Sequence, residues 1–93
     1  MPDSRTPEQR ARATMMELLT INASRVRGEL ADGAAFDMSV TAVKDLSTED
    51  VFNLLGLMTG SMVALLEVVG RLQGKTLDQV LQQIALVDQA EGR

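Results

Sequence analysis

Few residues in this sequence could carry out catalysis, because the 93-residue chain contains neither cysteine nor histidine. That composition excludes disulfides, thiolate metal sites, and Cys or His catalysis. The most closely spaced carboxylates are Asp45, Glu49 and Asp50, at the predicted start of a helix, where acids ordinarily complement the helix dipole. No Asp or Glu set has the dense spacing typical of a hard-cation site. We therefore predict a protein that is not an enzyme and has no cofactor and no metal.

The segment from Gly70 to Thr76 ends like a phosphate-binding loop, with the sequence GRLQGKT. That loop requires a glycine five positions before Gly74, and Val69 occupies the position. A glycine that ends one helix, followed by the cap of the next helix, accounts for the same residues. We expect a turn here and no nucleotide site.

The charge is unevenly distributed along the chain, whose net charge is −4. Residues 1–30 carry about +1 and residues 31–93 about −5. Because an acidic chain repels nucleic acid, we do not expect nucleic acid as a partner. The alternative function is a small DNA-binding transcriptional regulator or antitoxin, and it depends on the basic residues of the first helix. These are Arg10, Arg12, Arg25 and Arg27.

Length and composition predict a single helical domain over residues 1–93, with a disordered N-terminus at 1–5. Hydrophobic residues make up 45% of the chain, and only two residues are aromatic, so Leu, Val, Ile, Met and Ala must form the core. The absence of cysteine and of an apolar leader favours a cytoplasmic protein. Arginine outnumbers lysine seven to two, which is typical of GC-rich bacterial or phage genomes.

Apolar periodicity and capping residues predict an all-α fold of three helices. The central helix is the longest, and a two-residue turn after it predicts an antiparallel hairpin of the second and third helices. The predicted helices cover residues 6–32, 47–73 and 76–90.

Residues 33–46 are predicted to be an extended segment between the first two helices. Phe36, Met38 and Val40 alternate with polar residues, which is the pattern of a half-buried strand. A single strand at 35–43 would have to pair with its copy across a dimer. An extended loop that covers the helices is the other interpretation.

Apolar residues follow a 4-3-4-3-4-3 spacing along the central helix, and we call this set the seam. Such spacing over three heptads is typical of helices that pair through one face. Two glycines, Gly56 and Gly60, have the spacing that lets helices approach closely. We predict an interface formed by these glycines and by the seam residues, which are Val51, Leu55, Met58, Met62, Leu65, Val69 and Leu72.

Surplus apolar surface therefore predicts a protein–protein interaction module, specifically a homodimeric regulatory or adaptor protein. Its partners would be a second copy of itself and an unidentified protein, as in a phage or mobile-element accessory factor. A further alternative is a membrane-associated helical protein. We do not expect membrane insertion, because only sixteen uncharged residues lie between Asp50 and Glu67, whereas spanning needs about 20 apolar residues.

Overall fold

The computed structural model describes residues 4–92, and this part of the chain is all-helical without strands. The all-α class is confirmed, but there are four helices rather than the three predicted. The predicted disorder at residues 1–5 falls mostly on residues 1–3, outside the described residues. The helices are α1 (Pro7–Val26), α2 (Asp32–Val43), α3 (Thr48–Leu72) and α4 (Leu77–Glu91).

Three of the helices begin at caps that the sequence predicts. Thr6 and Gln9 form both hydrogen bonds of a capping box at the start of α1, and Thr76 and Gln79 do the same at α4. At α3 the hydroxyl of Ser47 accepts a hydrogen bond from a first-turn amide at 3.1 Å. These local bonds satisfy amides that lack partners inside the helix, so they place the helix starts within one residue of the prediction.

Helix α1 ends several residues earlier than predicted, because Gly28 adopts a left-handed φ of 78°. The amide of Glu29 donates to the carbonyl oxygen of Ser24 across this turn at 2.9 Å. This is the six-residue bond of a glycine-terminated helix. The predicted end of the first helix at residue 32 was wrong, since Asp32 begins α2.

The extended segment predicted at 33–46, and with it the strand at 35–43, was wrong, because α2 occupies most of this stretch. Ala35 is buried and Ser39 and Ala42 are half-buried, a spacing of four and three that follows one helical face. These small residues let α2 pack against α1. The alternation of Phe36, Met38 and Val40 predicted a strand because it is a stronger pattern than the helical spacing of the small residues.

The chain divides into two compact units between Met58 and Thr59, within α3. The prediction of a single domain is not tested by this division and stays a prediction. In the second unit, Val80 of α4 is buried. The buried apolar residues of the first unit are Ala11, Met15 and Ile21 of α1, Ala35 of α2 and Leu54 of α3.

Candidate interaction surface

The seam of α3 is largely exposed to solvent. Leu72 is 83% exposed and Leu65 is 62% exposed, although leucine is ordinarily a core residue. Only Met58 and Val69 are partly buried. The seam is therefore not the intramolecular core of the described chain. The remaining exposed seam residues are Val51, Leu55 and Met62.

Helix α3 buries different sides in its two halves, and neither side is centred on the seam. In the N-terminal half Leu54 is only 6% exposed, with Leu57 half-buried beside it on the helix. In the C-terminal half Gly70 is buried and Leu66 is half-buried. At about 100° per residue, the buried side shifts by nearly half a turn along the helix.

Helix α4 adds a second exposed apolar strip within the second unit. Its Val80 contacts α3, but most of its other large apolar side chains are about half exposed. A groove of about 460 Å³ lies between the two helices and is lined by Leu66 and Val69 of α3 and by Ile84 and Val87 of α4, among others. The exposed apolar side chains of α4 are Leu81, Ile84, Leu86 and Val87.

Helix α2 carries exposed apolar side chains that the sequence analysis assigned to a strand or loop. Phe36 is 69% exposed, and Met38 and Val40 are more than 40% exposed. In a helix Phe36 and Val40 lie about 100° and 140° around the axis from Ala35, whereas Met38 lies about 60° from it. The sequence signal for a helix here was the spacing of the small residues Ala35, Ser39 and Ala42.

A groove of about 610 Å³ separates α1 from α2 within the first unit. It combines apolar side chains with two carboxylates, and sequence analysis did not single it out. Its lining residues are Met16, Glu17, Thr20 and Ile21 of α1, and Asp37, Met38 and Thr41 of α2.

The predicted interface glycines of α3 have no close neighbour in the described chain. A Cβ atom built at Gly56 or Gly60 would meet nothing within 4 Å. By helical geometry the two glycines lie roughly half a turn from Met58 and Met62, so the glycines and the seam occupy opposite sides of α3.

Gly70, by contrast, packs closely against the turn after α3 and against α4. A Cβ atom there would lie 3.0 Å from the carbonyl oxygen of Lys75 and 3.1 Å from Cγ2 of Val80. The amide of Lys75 donates to the carbonyl oxygen of Gly70 at 2.8 Å, and Gly74 has a left-handed φ of 69°. The segment that resembles a phosphate-binding loop is thus a helix-terminating turn followed by the cap of α4.

Because these environments differ, replacing the glycines of α3 with alanine should change the free energy of unfolding in opposite directions. Substituting Gly56→Ala or Gly60→Ala should raise the free energy of unfolding by about 1 kcal/mol each, because alanine favours helix and meets no neighbour. Gly70→Ala should lower it by about 1–2 kcal/mol, because overpacking outweighs that gain. Chemical denaturation followed by circular dichroism measures all three changes. A loss of stability at Gly56 or Gly60 would instead indicate a close helix contact there.

The arginines that a DNA-binding role would use are all paired with carboxylates. Arg10 donates to Oδ1 of Asp50 through Nε at 3.3 Å and Nη2 at 3.1 Å, which ties α1 to the start of α3. This pair is partly buried, so solvent and salt screen it less than an exposed pair. The others are the exposed pairs Arg12–Glu8, Arg25–Asp32 and Arg27–Glu29.

Within residues 4–92, no three His, Cys, Asp or Glu side chains come close enough to hold a metal ion. The same residues contain one helix, Thr48–Leu72, that is long and apolar enough to cross a membrane. The mean hydropathy of its 18-residue window is 1.7, and 6% of that window is buried. Length and composition alone do not distinguish such a helix from one that packs against protein.

Comparison with known proteins finds no matching protein family, no similar characterised protein and no similar solved structure.

Proposed function

We propose that this chain is a non-enzymatic interaction module that forms a homodimer through the seam of α3. The observation that supports this proposal is the exposure of Leu55, Met62, Leu65 and Leu72 along a heptad-spaced strip. Soluble monomers seldom expose contiguous apolar surface of this kind without a partner. A second copy carries the same strip, and a two-fold axis brings two identical faces together.

The magnitude of the burial supports a dimer. Fully burying a large aliphatic side chain is worth about 1.5–3 kcal/mol, and the five exposed seam residues are on average a little over half exposed. Covering them would contribute about 4–9 kcal/mol per subunit, or about 9–18 kcal/mol per dimer. Association costs about 4–15 kcal/mol. The seam can therefore offset that cost, with α4 able to add to the covered surface.

The glycine strip is a separate surface in this proposal. Because Gly56 and Gly60 lie opposite the seam, one two-helix contact cannot use both. The seam is the better candidate for the dimer, since its side chains supply the apolar area that glycines lack. The glycine strip and the exposed part of α2 then stay free for another protein in a regulatory or adaptor role.

The oligomeric state is tested by light scattering on a sizing column. The expected mass is twice the 10.1 kDa of one chain, at both low and high salt, because an apolar interface does not depend on counterion release. A mass of one chain at micromolar concentration would contradict the dimer.

A second candidate function is a membrane-associated helical protein, which the apolar and little-buried α3 favours. In that case the lipid would cover the seam. Glu67 and Arg71 bound the uncharged part of α3 at one end, and Glu49 and Asp50 bound it at the other. This leaves a stretch of about 24 Å at 1.5 Å per residue, shorter than the ~30 Å hydrocarbon core.

Cell fractionation separates the two candidates. The dimer predicts that the full chain is recovered in the supernatant after ultracentrifugation without detergent. A membrane role predicts that it is found in the pellet and is released by detergent but not by carbonate or salt. A Gly60→Asp variant provides a control, since Gly60 lies near the middle of that uncharged stretch and away from the seam. A charge at the middle of an inserted helix costs about 3 kcal/mol and should shift the chain to the supernatant.

A further inference from the structure

We propose that the groove between α1 and α2 is a docking site for a cationic amphipathic helix of another protein. This inference rests on the proposed role as an interaction module, but it uses a surface separate from the seam. The occupant would place apolar side chains in the groove and lysine or arginine side chains at its acidic edge.

The groove offers an apolar surface that can adapt to a partner. Met16 and Met38 line it from the two helices, and each is about half exposed. Ile21 lines the same groove and is buried. Methionine has an unbranched, polarisable side chain, which is well suited to surfaces that accept partner side chains of varied shape.

The two carboxylates of the groove have no ion pair in the part of the chain that the structure describes. Glu17 lines the groove from α1 and Asp37 from α2. On its own helix, neither carboxylate has a lysine or arginine three or four residues away. This contrasts with Glu8, Glu29 and Asp50, each of which pairs with an arginine. The groove therefore presents uncompensated negative charge beside apolar surface.

The other polar groups of the groove offer no free donor. The hydroxyl of Thr20 donates to the carbonyl oxygen of Met16 at 2.8 Å, and the hydroxyl of Thr41 donates to that of Asp37 at 2.9 Å. A hydroxyl has one donor hydrogen, so both donors are used within their own helices. The groove can then only accept hydrogen bonds, which favours a partner that supplies cationic donors.

A helical occupant suits the length of the groove. The groove of about 610 Å³ is lined by residues 16–21 of α1 and 37–41 of α2, a length of about 6–8 Å at 1.5 Å per residue, which matches apolar anchors at i, i+3 and i+4. Cationic residues next to those anchors would meet Glu17 and Asp37. Each contact joins an exposed carboxylate to a mobile cation, so the affinity should fall as salt rises.

The test uses the full chain with ¹³C-labelled methionine methyl groups and synthetic 18-residue peptides. The probe is an amphipathic leucine–lysine peptide with leucines at helical spacing. Two further peptides serve as controls: one with every lysine replaced by glutamate, and one with the leucine–lysine order scrambled. The expected result is a shift of the Met16 and Met38 signals with the leucine–lysine peptide alone. Met62 on the seam is the internal control and should not move.

Charge-reversal variants test the acidic edge directly. Glu17→Lys and Asp37→Lys should each weaken binding of the leucine–lysine peptide by about 3- to 10-fold, because attraction becomes repulsion. Asp45→Lys is the matched control, since Asp45 is exposed, changes the net charge equally and does not line the groove. Asp45→Lys should leave the affinity for the leucine–lysine peptide within about two-fold of that of the unsubstituted chain.

Four outcomes would overturn the proposal. These are no binding, equal binding of the glutamate or scrambled peptide, a shift of Met62 in place of Met16 and Met38, and an equal loss of affinity with Asp45→Lys. The solution mass is measured on the same samples. A monomer that still binds through the groove would refute the dimer alone, and a dimer that binds no peptide would refute the groove alone.

Discussion

Replacing Leu65 with aspartate is expected to convert the proposed dimer into a folded monomer. Leu65 is 62% exposed in the single chain, so a carboxylate there stays hydrated and the helices persist. In the dimer the same carboxylate would be buried without a partner, at a cost of several kcal/mol for each copy. The dissociation constant should rise by about 1000-fold or more. Sedimentation equilibrium measures this constant, and circular dichroism measures the helix content.

Ala64→Asp is the matched control for this variant. Ala64 is exposed and precedes Leu65 on the same helix, but it lies on the side of Gly60 and Arg71, away from the seam. It should leave the dissociation constant unchanged within about three-fold and cost under 1 kcal/mol of stability. Equal effects of Ala64→Asp and Leu65→Asp would show that the seam is not the interface, and unfolding by Leu65→Asp would show that this side is core.

Replacing Leu54 with aspartate is expected to unfold the first unit at any protein concentration. Leu54 is 6% exposed, so the change removes buried apolar volume and places a carboxylate in an apolar environment. Truncation alone costs about 2–5 kcal/mol, and the buried charge adds several more. That total approaches the whole stability of a small domain. Loss of the helical circular dichroism signal and of the dispersed methyl signals would show that the first unit has unfolded.

The neighbouring Phe52→Asp variant controls for the effect of a new charge near the start of α3. Phe52 is 68% exposed, so its replacement should cost under 1 kcal/mol despite the larger side chain. Together, the two variants separate folding from association. Leu54→Asp should unfold the first unit at every protein concentration, whereas Leu65→Asp should only weaken the dimer. A stable Leu54→Asp protein would mean that the buried side of α3 is placed wrongly.

Local sequence signals predicted where α1, α3 and α4 begin but did not predict α2. Thr6, Ser47 and Thr76 cap three helices where their residue types indicated, since capping depends on bonds within a few residues. The predicted first helix ran past Gly28, because apolar residues continue at helical spacing from Val26 to Leu30. A positive φ at that glycine ended α1 and left room for α2.

The sequence by itself determined the helical class, the caps of α1, α3 and α4, and the glycine-terminated turn at Gly74, because each depends on residues close together in the chain. The tertiary structure decided which side of α3 is buried. Apolar residues cover more than half of the circumference of α3, so periodicity alone could not choose between Leu54 and the seam. That choice depends on the helices available to cover each side, and within this chain they cover Leu54 and leave Leu65 exposed.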